Sequence, residues 1–137
     1  MACPYFYPLA RLDTNYWAVP PRCPLGDAFS GECRAANASS QPDETILRQY
    51  CNFGYGRGQC GCFPNIAETD AVRFHIAGEC GQSIRIQYVL EKNCWPTIYG
   101  TADFSMTTDE FVAGPEDEIL RRQVAVFIES YRRRKTQ

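Results

Sequence analysis

Val72-Arg73-Phe74-His75-Ile76 alternates apolar and polar side chains, and Ile84-Arg85-Ile86-Gln87-Tyr88-Val89-Leu90 repeats the pattern a few residues later. A period of two marks strands with one face buried and the other in water. The intervening Ala77-Gly78-Glu79-Cys80-Gly81-Gln82 has turn chemistry, so the two runs predict a hairpin. Lys92-Asn93 permits another turn, into a strand near 97–104, and residues 72–104 are expected to form an antiparallel meander.

Downstream, Gly114-Pro115-Glu116-Asp117-Glu118 has the proline and acidic residues of a helix start. Leu120, Val124, Phe127 and Tyr131 then form one helical stripe, expected to cover the sheet. The closing Arg132-Arg133-Arg134-Lys135 places cations where the helix dipole favours them, and a solvated helix end is expected there.

Upstream, the character of the chain changes. Residues 1–64 hold six of the eight cysteines and seven of the nine prolines, which leaves little room for long regular elements. Ser39-Ser40-Gln41-Pro42-Asp43-Glu44 predicts one short helix running to about Tyr50, with Cys51 at its end. The following Asn52-Phe53-Gly54-Tyr55-Gly56-Arg57-Gly58 is a glycine loop. The expected fold class is α+β. In it, a loop-rich cysteine half (1–64) surrounds a metal centre, followed by a small antiparallel sheet with a C-terminal helix packed on it (65–137). No linker divides the 137 residues, so one domain is expected.

The formal charge of −2 gives no electrostatic drive toward nucleic acid or anionic lipid, and no apolar run approaches the ~20 residues of a membrane-spanning helix. The start Met1-Ala2-Cys3-Pro4-Tyr5-Phe6-Tyr7-Pro8 lacks the pattern of a secretion signal. A cytoplasmic location is the expectation. Eight cysteines in a reducing compartment point to metal ligation, because disulfides do not persist there. The competing reading is a secreted, disulfide-stabilised domain with four bridges and a glycosylation acceptor at Asn37-Ala38-Ser39.

Spacing discriminates among metals. No Cys-x-x-Cys occurs, and Cys60-Gly61-Cys62 is the one close pair, whereas structural zinc draws on close pairs of ligands. Dispersed single thiolates suit a cubane, whose four iron corners each take one sulfur. Its sulfides also need nearby backbone N–H groups, and Gly54, Gly56, Gly58 and Gly61 interleave with Cys51, Cys60 and Cys62. The expected ligands are Cys3, Cys33, Cys51 and Cys60, with Cys62 and Cys23 in reserve. Tyr5, Phe6, Tyr7, Tyr16 and Trp17 could shield such a centre, Arg57 could offset its charge, and Pro20-Pro21 implies an extended stretch. Cys80 and Cys94 are expected as buried free thiols, or as a pair bridged across neighbouring turns.

His75, the only histidine, falls on the polar register of its strand and is expected at the surface. No G-x-S-x-G, P-loop or Rossmann fingerprint is present, so a redox or binding protein is favoured over a hydrolase or transferase. The functional expectation is a small [4Fe–4S] protein that transfers one electron to a protein redox partner, without nucleic acid or membrane. The alternative is a non-enzymatic interaction module whose loops are held by a structural metal, zinc or cluster.

Overall fold

The computed structural model describes residues 1–13, 22–35 and 41–136. The expected acceptor at Asn37, the aromatics Tyr16 and Trp17, the Pro20-Pro21 step and the serines of the first helix start lie outside them.

The regular half is a four-stranded antiparallel sheet in the order β3 (Ala71–Cys80), β4 (Ser83–Lys92), β5 (Trp95–Ser105), β6 (Glu110–Ala113). Both hairpins are tighter than the sequence suggests. β3 continues through the expected turn region to Cys80, leaving Gly81-Gln82 as the connection, with Gly81 at φ 61°. Asn93 and Cys94 form the second turn with φ 51° and 66°, the doubly positive geometry that suits the strands' twist. Phe74, Ile84, Ile86, Ala102 and Phe104 bury one face, while Arg73, His75, Arg85 and Gln87 alternate outward. His75 is at the surface as expected.

The N-terminal half contains more regular structure than its composition implies. β1 (Phe6–Arg11) and β2 (Phe29–Cys33) make a two-stranded antiparallel ribbon with Phe6 opposite Cys33 and a register shift between Pro8 and Ala10. Gly31 is obligatory at the crossing, since a Cβ there would sit 2.1 Å from the Tyr7 carbonyl oxygen. The short helix begins where expected: the Asp43 carboxylate accepts from the Ile46 N–H at 2.9 Å, capping α1 (Glu44–Ile46). It widens at once into a π-helical turn, Leu47–Cys51.

α2 (Glu118–Lys135) is capped by Asp117, which accepts from the Leu120 N–H at 2.8 Å. Phe127 packs against Phe74, ring centroids 5.6 Å apart, which sets the expected stripe on the sheet. The helix has a second buried face. Gln123, Val126 and Ser130 are also enclosed, and Arg122 donates to the Pro8 and Leu9 carbonyls of β1. α2 is thus clamped between the sheet and the N-terminal segments.

Its basic end is not merely solvated. Arg132 pairs with Asp109, Arg133 with Asp27 and Lys135 with Glu79, while Arg134 donates to the Gly26 carbonyl. Three separate segments are fastened by four consecutive cations. Among the described residues no helix is long and apolar enough to cross a membrane.

Candidate metal centre

Three elements bring the cysteines together. Ala2 pairs with Val72, exchanging N–H···O bonds of 2.7 and 2.8 Å, which fastens the start of the chain to β3. Cys3 follows, and its N–H donates to the Cys51 carbonyl at 3.1 Å. Cys51 closes the π-helical turn, and wide turns of this kind often occur at functional sites. Cys33 ends β2 beside Phe6.

The glycine loop supplies the remaining thiols. Gly54 adopts φ 75°, and a Cβ there would approach the Ala71 Cβ to 2.8 Å, so the chain must pass as glycine. The Cys60 N–H then donates to the Gly56 carbonyl at 2.7 Å, folding the loop back. Cys3, Cys33, Cys51, Cys60 and Cys62 consequently line one small pocket with Tyr5, Phe6, Tyr50 and Phe63. The four expected ligands and the reserve Cys62 are brought together. Cys23 is not: it pairs with Gly26 and lines a separate groove with Arg22, Arg73 and Arg134.

Burial pushes the Cys3 thiol up to about 12, while the nearby backbone N–H groups of Tyr5 and Phe6 act in the opposite sense; the Phe6 N–H itself donates to the Cys3 carbonyl at 3.1 Å. Pro4, between them and Cys3, has no N–H to compete. Cys51 is pushed higher, first by burial and then by the facing Cys3, Cys33, Cys60 and Cys62. The Cys62 thiol is raised chiefly by the nearby Cys33, then by burial and by Cys60. A bound cation would offset the mutual repulsion that raises Cys51 and Cys62 and would favour deprotonation of its ligands.

The donor set is of the kind a thiolate-ligated group uses, with sulfurs among apolar walls. Space is tighter. The cavity between the thiols is about 20 Å³, roughly what one water needs. A cubane cluster is larger than this cavity, so the thiols would have to spread apart to take one. Gly58, at φ 79°, and Gly61 have open space around them. Among the described residues, no group of three or more His, Cys, Asp or Glu side chains is placed to hold a metal ion.

Other expected roles change. Arg57 does not serve the pocket: its guanidinium binds the Asp70 carboxylate at 2.6 Å and the Asn65 and Ala67 carbonyls, locking the loop after Cys62. It also stacks 5.2 Å from the centre of Phe63, whose edge meets Tyr5. Tyr7 turns away to hold Arg34, 3.7 Å from its ring centre. Cys80 and Cys94 are exposed rather than buried and stand at opposite ends of β4. Ten residues of strand separate them by about 30 Å, far beyond the ~7 Å reach of a disulfide.

Two residues essential to this geometry carry no periodic signal. Asn52, fully buried beside Cys51, accepts from the Phe29 N–H and donates to the Phe29 and Leu47 carbonyls, riveting β2 to the π-helical turn. Gln123, also fully buried, donates to the carbonyls of Cys3 and Phe6. No family model, curated protein or solved structure matches the chain.

Proposed function

We propose that Cys3, Cys33, Cys51 and Cys60 hold a [4Fe–4S] cluster and that the protein is a small electron carrier. One observation carries this reading: five thiols from four separated segments line a single apolar pocket that contains no histidine or carboxylate. When bound, the cluster supplies a one-electron couple. The chain's own part is to hold the sulfurs, to keep the Tyr5 and Phe6 backbone N–H groups close to Cys3, and to exclude water with Tyr5, Phe6, Tyr50 and Phe63. Hydrogen bonds to ligand sulfur and exclusion of water are the levers by which a protein sets such a potential.

Zinc is less well served. Its four sulfurs must lie about 2.3 Å from one point, and the thiols are not gathered that tightly. A protein redox partner would approach the side formed by Cys60 and Cys62, where Cys62 is exposed.

Anaerobic purification followed by metal and sulfide analysis tests the proposal. The expected result is a brown protein absorbing near ~400 nm, with about four irons per chain, that dithionite bleaches reversibly. Colourless protein holding about one zinc defeats the cluster, and a cluster inert to dithionite leaves the structural-metal reading in its place.

A further inference from the structure

We propose that Cys62 and Cys33 form a disulfide that closes the thiol pocket under oxidising conditions and withdraws Cys33 from the metal-binding set. The withdrawal rests on the proposed ligands; the disulfide itself does not. Five thiols line the pocket and a cubane takes four, so one sulfur is left without an iron corner. With Cys3, Cys33, Cys51 and Cys60 as ligands, the spare sulfur is Cys62.

Exposure makes Cys62 the point of entry. It is the one exposed thiol of the five: Cys3, Cys33 and Cys60 are half-buried and Cys51 is buried. A small disulfide in solution therefore meets Cys62 first. The thiol that acts on Cys62 most strongly is Cys33, ahead of Cys60. Cys60 is also the poorer partner, since only Gly61 lies between the two and a bridge across one residue closes a small ring that strains the disulfide. Cys33 comes from a different element, the end of β2, where pairing with Phe6 holds it. The loop carrying Cys62 has room to meet the fixed geometry of a disulfide, because nothing lies within 4 Å of where a Cβ would stand on Gly58 or Gly61.

The exchange takes two steps. The Cys62 thiolate attacks one sulfur of oxidised glutathione, forming a mixed disulfide and releasing one reduced glutathione. Cys33 then attacks the Cys62 sulfur, the Cys33–Cys62 bond forms, and the second reduced glutathione leaves. Two protein thiols lose two electrons and two protons, and the glutathione disulfide gains both. Only the thiolate attacks, and the Cys62 thiol is raised, so the reaction is followed to equilibrium rather than timed.

The test uses the full chain, reduced and freed of metal by a chelator, then equilibrated with mixtures of reduced and oxidised glutathione, alkylated and mapped by mass spectrometry. Cys80 and Cys94 are internal references, exposed but outside the pocket. They can form glutathione adducts, which excess reduced glutathione reverses, whereas a pair within one chain persists through its higher effective concentration. The expected result is a Cys33–Cys62 linked peptide, with the loss of two thiols per chain, at ratios that leave Cys80 and Cys94 free. Cys33→Ala should instead trap glutathione on Cys62, and urea should erase the preference for this pair. Should chelation unfold the chain, as judged by circular dichroism, the protein as purified is titrated directly and the same linked peptide is expected. The oxidised chain should take up no iron until dithiothreitol reopens the pair. Absence of the linked peptide, another pair among the five, or a preference that survives urea overturns the disulfide. Full iron uptake by the oxidised chain overturns the withdrawal of Cys33. A reduced chain that also takes no iron defeats the cluster, and with it the withdrawal, while the linked peptide still decides the disulfide.

Discussion

The side-chain amide of Gln123 donates to the carbonyl oxygen of Cys3 at 2.8 Å, tying the middle of α2 to the residue that opens the thiol pocket. The same nitrogen reaches the Phe6 carbonyl, also at 2.8 Å, and the Gln123 Oε1 is buried without a hydrogen-bond partner among the described residues. Gln123→Leu keeps the bulk but removes the donor shared by the Cys3 and Phe6 carbonyls, leaving Cys3 only the Phe6 N–H at 3.1 Å. The expected loss is about 1–3 kcal/mol in urea unfolding, accompanied by lower metal content. Wild-type stability and metal content would remove Gln123 from the support of the site.

Thiol substitution separates the pocket from the sheet. Under the proposed ligand set, Cys3→Ala, Cys33→Ala, Cys51→Ala and Cys60→Ala are each expected to abolish or sharply reduce iron incorporation, because ligation energy would also order these segments. Cys80→Ala and Cys94→Ala should retain it, since both residues stand at strand turns outside the pocket. Cys62→Ala decides the role of the fifth thiol. Full iron in that variant leaves the four-ligand set intact, whereas iron loss there with retention in Cys60→Ala exchanges the two.

The Arg57–Asp70 contact predicts a pH dependence. Burial alone would raise the Asp70 carboxyl, but the Asn93 N–H at 2.9 Å and the Arg57 guanidinium outweigh it and hold the group below its ordinary range. A carboxyl depressed in the folded state contributes stability that is fully present above its unfolded value. That stability is lost as pH falls through the folded one. Urea midpoints measured downward from about pH 5 should fall in the wild type, and the Asp70 share of that slope should vanish in Asp70→Asn. Asp70→Asn at neutral pH is expected to cost about 3 kcal/mol, since it removes the charge that pairs with Arg57 and leaves one oxygen where Arg57 and the Asn93 N–H used two. An unchanged acid slope would rule out Asp70 as its source.

Phe127→Ala probes the helix on the sheet. The ring packs on Phe74 but is only partly buried. The expected cost is about 2 kcal/mol, below the ~3–5 of a fully enclosed phenylalanine. A negligible loss would contradict this packing.

Period-two alternation in residues 72–90 and the stripe from Leu120 to Tyr131 are local records of a buried face, so the sheet and helix are legible from sequence. The glycines, the cysteine spacing and the Asp43 cap are local as well. They determined that the N-terminal half makes tight loops around thiols dispersed along the chain. The tertiary structure alone decided which thiols meet. Cys3, Cys33 and Cys51 are drawn together where Asn52 fastens Phe29 and Gln123 fastens Cys3 over separations of 23 and 120 residues, while Cys62 enters the pocket and Cys23 does not. It also decided that Arg57 and the basic helix end hold the chain to itself. Hydrogen bonds between residues far apart in sequence leave no period and no spacing, and only the folded chain brings their partners within reach.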